Sequence, residues 1–323
     1  MRRLFGGLSE ESTDSTGSKG AMDAPLGESL RVYFPLFLVS LIWGLNFPIM
    51  RLGVLALGPL VFPFFRFLFS VPLFFLVLWI RERSIKIALQ DVPLFLFLGF
   101  IGFGLYQPLW SFGLKLSLAS HSALLLSLSP VIVAVIVFLK KEEGFRGVNL
   151  LGVLFGFLGV VLLAYPRGGS SIAEQNMLLG DLVTLGAAFL WGLYCYLGKF
   201  ILSRYSPLKS STWSMFFGVV TMFPLCFRDV LKASFGNFSL TLFLVFLYGT
   251  LLSSLLAYVF WMQGIQKIGA SRTTTFQYVT QIFGVIGARL FFHDPLDVLL
   301  FGSMAFVSLG LLLAQWRPRV EEI

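Results

Sequence analysis

Two tryptophans define the chemistry open to this chain. Trp43 and Trp191 each lie about ten residues into a long apolar run. If those runs are helices, the depth is about 15 Å, near the middle of a bilayer. Asn46 and Tyr194 each follow three residues later, so each shares a helix face with its tryptophan. An indole beside an amide or a phenol can hold a small molecule by stacking and hydrogen bonding, without making or breaking a covalent bond. The competing use is packing, with each indole N–H finding an internal partner.

Other polar side chains could join this pair. Tyr106, Gln107 and Tyr258 lie about one turn deeper than Trp110 and Trp261 and are candidates for the same cavity. Trp110 and Trp261 themselves sit towards run ends, where an interfacial belt is their ordinary role. Thr273, Gln277 and Gln281 fall at i, i+4 and i+8, and Thr280 adds to the stripe. Lipid cannot satisfy such a stripe, so it faces substrate or water, or else bonds to neighbouring helices. Ser122, Ser127 and Ser129 form a weaker counterpart, and Pro130 is expected to kink its helix. Four cations lie inside apolar runs. Arg51 and Lys199 are expected to be charge-steering gates at opposite ends of a pathway, attracting an anionic or zwitterionic ligand. Arg66 and Arg289 are read as lying towards helix ends in the same role. Snorkelling to lipid headgroups is the alternative for all four.

The acids are informative by their distribution. All 16 Asp and Glu, Asp91 and Asp181 included, read as lying in tails, loops or helix ends. Proton-coupled carriers keep an ionisable group inside the membrane, so transport without proton coupling is expected, with His121 the one remaining candidate. Cys195 and Cys226 read as small buried residues, with no disulfide or zinc site. No phosphate-cradling glycine loop, metal cluster or nucleophilic triad is recognisable. No cofactor and no metal is therefore expected. An intramembrane lipid-modifying enzyme is kept only as a remote alternative, because it would need a reactive pair within the membrane.

The elements that must position these residues follow from composition. Hydrophobic residues make up 57% of the 323 and charged residues only 12%, against roughly 25% in a soluble domain. The net charge of +8 comes from basic residues lying between apolar runs, not along one face. They read as topology signals, and nucleic acid is not an expected partner. Ten runs are predicted as membrane helices: 33–57, 59–80, 92–114, 119–139, 148–165, 182–202, 211–227, 240–262, 271–292 and 298–316. With the amino terminus inside, 16 Lys and Arg fall in inside segments and four, Lys115, Arg167, Arg228 and Lys232, outside. Both termini are thus expected in the cytoplasm, and the chain in the cytoplasmic (inner) membrane as a multi-pass protein. Residues 1–31 and 318–323 are expected to be cytoplasmic tails, the first disordered and carrying no cleavable signal. The Asn237-Phe238-Ser239 sequon falls in an outside segment.

The chain also repeats. Trp43-Gly44-Leu45, Arg51 and Pro59 match Trp191-Gly192-Leu193, Lys199 and Pro207 at a spacing of 148. Trp110, Gly113, Ala119, Ser120 and Gly159 match Trp261, Gly264, Ala270, Ser271 and Gly310 at 151, a difference assigned to a short loop insertion. The fold predicted is an all-α integral membrane protein of ten transmembrane helices, built as two inverted five-helix repeats, residues 32–166 and 181–317. Gly152 and Gly156 form a Gly-x-x-x-Gly on the fifth helix, for packing within a monomer or for a homodimer face.

Three stretches carry a family resemblance: Trp43-Gly44 with Asn46-Phe47, Pro59 followed by Arg66-Phe67, and Ala119 through Pro130. A Gly-rich fifth helix after Glu142 or Glu143 adds to it. In this order and duplicated, they are similar to the EamA-type members of the drug/metabolite transporter superfamily, over about residues 33–316. The second half departs where Gln281 stands for Pro130 and where His293 and Asp294 stand for Glu142 and Glu143. The resemblance implies a secondary transporter that exports or exchanges a small metabolite, without naming it; the cargo expected is polar or amphipathic and amino-acid-like, with the lipid bilayer and that substrate as partners. A carrier of organic anions or sugar phosphates, from the same superfamily, is the alternative.

Overall fold

The computed structural model describes residues 26–140, 147–163, 172–233 and 239–314. Among them every regular element is helical. The expected tails before residue 26 and after 314, the Glu142–Glu143 pair, and Asn237 and Phe238 of the sequon lie outside the described residues. The first helix begins at Leu26, inside the segment expected to be a tail.

We label the helices α1 (Leu26–Leu57), α2 (Val61–Glu82), α3 (Leu89–Leu116), α4 (Ala119–Leu139), α5 (Gly147–Leu163), α6 (Ile172–Leu202), α7 (Pro207–Lys232), α8 (Leu240 through Thr274), α9 (Gln277–Phe292) and α10 (Val298–Ala314). Seven of them, α1 to α4 and α6 to α8, are long and apolar enough to cross a membrane. The other three have 16 or 17 residues. Large apolar side chains point outward along them, among them Phe69, Phe157, Leu231 and Leu312, each more than half exposed. A water-facing surface would not hold such a band, whereas lipid tails accept it.

Polar interruptions shape the helices. The N-terminal piece of α4, Ala119–Leu126, stops before Ser127 and the rod resumes at Ser129. The break falls just before Pro130, which lacks an N–H and whose ring obstructs the preceding turn. The second half also breaks, without a proline. Gly269 adopts φ +81°, a left-handed conformation open to glycine, and the chain breaks again at Thr275–Phe276 before α9. Thr273 and Thr275 bond their hydroxyls to the carbonyls of Gly269 and Arg272, at 2.8 and 2.6 Å, satisfying groups that the broken helix frees. Gln281 therefore removes the proline but not the interruption.

Both α3 and α8 contain a π-helical stretch, Phe100–Leu105 and Tyr248–Leu256. Each follows an eight-residue α-helical piece, Val92–Gly99 and Leu240–Leu247, which lie 148 apart; the α-helix resumes at Tyr106 and Ala257, which are 151 apart. The three extra residues thus sit inside the π stretch of α8, nine residues long against six. This corrects the expectation of a loop insertion. A π turn accepts added residues without ending the rod.

Helix α1 packs against α8 and α9, α6 against α3 and α4, and α7 against α2 and α3. Helices α5 and α10 meet backbone to backbone. A Cβ built on Gly310 would meet the backbone nitrogen of Gly156 at 2.4 Å and the carbonyl oxygen of Gly152 at 2.7 Å. The Gly-x-x-x-Gly face of α5 is thus used within the chain.

Candidate substrate cavity

Helices α1 and α6 meet at their tryptophans. The ring centroids of Trp43 and Trp191 lie 5.3 Å apart, edge to face. Trp43 also contacts Tyr258 at 5.3 Å and Trp261 at 5.0 Å. Trp191 stacks on Tyr106 and on Tyr194, each at 5.4 Å. Close by, Gln107 Nε2 donates to Tyr258 Oη at 3.1 Å. Residues 148 apart and residues 151 apart therefore touch each other at the centre of the bundle.

A small cavity opens beside this cluster. Its volume of about 30 Å³ admits about two waters. It is lined by Trp43, Asn46, Phe47, Arg66, Tyr106, Gln107, Trp110, Leu126, Trp191, Ser253, Tyr258, Gln277 and Thr280. Seven of the ten residues expected to bind substrate are in its wall. The indole N–H of Trp43 donates to the Ser253 carbonyl at 3.0 Å. Ser253 lies in the π stretch of α8, where the shifted hydrogen-bond pattern leaves carbonyls free to take a side-chain donor. The indole N–H groups of Trp110 and Trp191 and the Asn46 Oδ1 are buried without a partner.

The other three lie behind the wall. Tyr194 is buried against Trp191 and Phe103. Thr273 bonds its own chain at Gly269. Gln281 accepts from Ser127 at 2.8 Å and donates to Ser308 at 3.0 Å, joining α4, α9 and α10; it is used for interhelical hydrogen bonding. The stripe on α9 divides accordingly: Gln277 and Thr280 face the cavity and Gln281 faces the neighbouring helices.

The four cations do not act alike. Arg51 pairs with Asp294 at 3.6 Å and covers the Phe292 ring at 4.6 Å. Lys199 lies over Tyr196 at 4.2 Å. Arg289 is exposed and donates to the carbonyls of His293 and Asp294, closing the C-terminus of α9. Arg66 departs from expectation: it is 2% exposed and lines the cavity, not a helix end. Trp110 and Trp261, read as belt residues, are buried at 3% and 0%. The signal for both lay in their repeat spacing, which tied them to the same axis as Trp43 and Trp191.

The acids need the same correction. Asp181 is buried within α6, nine residues beyond Ile172. It lies 2.9 Å from His121 Nδ1 and accepts a hydrogen bond from the Ser117 hydroxyl. Asp294 accepts from the backbone N–H and hydroxyl of Ser120 at 3.1 and 3.0 Å, holding the first turn of α4, where an anion is favoured. At the far ends of α3 and α6, Asp91 joins Arg204 and Tyr205 at 2.6 and 2.7 Å. None of these groups lines the cavity, and no cluster among the described residues could hold a metal.

The model of the EamA-like transporter family matches the chain twice, over residues 30–165 and 178–316. An uncharacterized transporter of Bacillus subtilis, YyaM, is 25% identical over 91% of this chain and 96% of its own length. Two uncharacterized transporters of Archaeoglobus fulgidus are 23% and 27% identical, over 87% and 83% of this chain. A crystal structure of a protein, 17% identical, superposes with a TM-score of 0.59 over 86% of this chain and 95% of that one; at that identity the likeness concerns the fold alone.

Proposed function

The chain belongs to the EamA-like transporter family, and on that premise we propose that it carries a small polar or amphipathic, amino-acid-like metabolite through the Trp43–Trp191 cavity by alternating access. In this reading all ten helices cross the cytoplasmic membrane. The two five-helix halves are inverted, both termini are cytoplasmic, and flux is export or exchange. The supporting observation is contact between equivalent positions, Trp43 with Trp191 and Gln107 with Tyr258. Equivalent residues of two halves can touch only on the axis that relates them. For halves of five helices that axis lies in the membrane plane, so a cavity on it can open to either side with largely the same walls. The organic-anion reading is favoured by one observation, the buried Arg66 in that wall.

Counterflow in proteoliposomes tests the activity. Vesicles loaded with an unlabelled metabolite should transiently accumulate its labelled form for at least one member of an amino-acid and organic-acid panel. No counterflow with any member would overturn the reading. The cavity wall contains no Asp, Glu or His, so a pH gradient alone should drive no uphill uptake. If it does, proton independence is wrong, and His121→Gln, which disrupts the buried pair with Asp181, should abolish the effect.

Topology is checked by fusions. A green fluorescent protein fused after residue 323 should fluoresce and a phosphatase there should be inactive, from the excess of Lys and Arg in the inside segments. The opposite pattern would refute either the helix count or the orientation.

A further inference from the structure

Arg66 stands buried in the cavity wall, which holds no acid to neutralise it. Its guanidinium is always charged, and it is 2% exposed. Among the described residues it forms no ion pair. Its partners are the Met50 sulfur at 3.1 Å, the Gln107 Oε1 at 3.0 Å and the face of Phe67 at 4.2 Å, and its Nε has none. A weak sulfur acceptor, one amide and a ring do not replace the hydration of a cation, so the arrangement costs stability. Buried intramembrane charge of this kind marks a ligand pathway.

The surrounding polar atoms specify what would complete it. Gln107 gives its oxygen to Arg66 and its N–H to Tyr258 at 3.1 Å, so its acceptor end is fixed towards the guanidinium. On the same wall, the indole N–H groups of Trp110 and Trp191 are buried donors without partners, and Asn46 Oδ1 is a buried acceptor without one. The unsatisfied set is therefore one cation and two neutral donors against a single acceptor. A carboxylate, with two oxygens and about four acceptor sites, answers the donors. A hydroxyl or amino hydrogen answers Asn46. The position 148 residues from Arg66 is Ser214, so the cation is not duplicated and one negative charge is matched, not two. The aromatic wall suits a flat apolar body, for which the cavity, at about 30 Å³, must widen as it opens to one side.

We propose that Arg66 anchors the carboxylate of the transported molecule, and that the substrate class is a monocarboxylate bearing one further hydrogen-bond donor on an apolar body. This rests on reading the cavity as the substrate site.

The test uses purified full-length protein, with tryptophan fluorescence and the melting midpoint as readouts. The probes are 3-phenyllactate, its amide, 3-phenylpropanoate and inorganic phosphate. Phenyllactate should bind at least tenfold more tightly than its amide, and more tightly than phenylpropanoate, which lacks the hydroxyl. Arg66→Gln should erase the preference for acid over amide, and Arg66→Lys should restore part of it. The proposal falls if the amide matches the acid, if no acid binds, if Arg66→Gln keeps the preference, or if phosphate binds more tightly than phenyllactate. Counterflow separates this from failure of the cavity reading. Transport that needs Trp43 and Trp191 but not Arg66 removes the carboxylate assignment alone, whereas transport indifferent to both tryptophans removes the cavity.

Discussion

Trp43→Ala and Trp191→Ala should each weaken substrate binding by about 1–3 kcal/mol, the loss expected when a large aromatic wall and its stacking are removed. This is roughly a 5- to 150-fold change in dissociation constant. The two sites should differ in stability, although both rings touch Tyr258 and Trp261. Trp43 donates to the Ser253 carbonyl in the π stretch, so its removal takes a hydrogen bond from that carbonyl. The Trp191 N–H has no internal partner to abandon. A buried hydrogen bond contributes about 0.5–1.5 kcal/mol, so Trp43→Phe, which keeps a ring, should melt below Trp191→Phe. Trp43→Phe should recover most of the binding but not the melting midpoint. Binding on monodisperse variants decides the matter: if both alanine variants bind like the parent, the tryptophans only pack.

Gly310→Val should be clearly destabilising although it lies outside the cavity wall. The added Cβ would lie 2.4 Å from a backbone nitrogen of α5, and a backbone atom cannot rotate away as a side chain can. The α10 rod must shift from α5, at a cost of 1–3 kcal/mol or about that. The expected result is a melting midpoint lowered by several degrees in detergent, together with a reduced yield of monodisperse protein. Gly186→Ala is the control. Nothing lies within 4 Å of a Cβ there, and alanine is the better helix former by about 0.5–1 kcal/mol, so its midpoint should equal or exceed the parent's. A normal midpoint for Gly310→Val would show that the two helices are not held as closely as the contact implies.

The residues legible in the sequence were those fixed by depth and repetition. Trp43, Trp191, Asn46, Tyr106, Gln107, Tyr258 and Gln277 all reached the cavity wall. Run length and position alone bring a side chain to mid-bundle when the element is a long helix. Rotation about the helix axis was harder to read. Gln277 and Gln281 lie one turn apart on α9, yet only the first faces the cavity, because two interruptions before α9 set its facing and neither is marked by proline. Arg66 was misplaced for a related reason. Six residues into a helix reads as a helix end in a single rod, whereas the neighbouring α3 and α8 cover that depth and bury it. Asp181 was hidden because α6 begins at Ile172, ten residues before its apolar run, so the acid is carried inside the rod. The π stretches have no sequence signature of their own beyond the change of repeat spacing.

That change of spacing has an energetic meaning. Two identical halves exchanging conformations would have end states of equal energy, as mirror images do. Three extra residues in the π stretch of α8 remove the degeneracy. The longer stretch carries the carbonyl that holds Trp43, while the N–H of Trp191, the equivalent residue, has no partner. If the halves exchange conformations as proposed, the protein in a symmetric bath rests unequally between its two orientations, with part of that bias written into one helix. Such a bias leaves the final gradient of a passive carrier unchanged, because it alters no equilibrium between the two solutions. It does set which face waits for substrate, and so at which side of the membrane saturation is first felt.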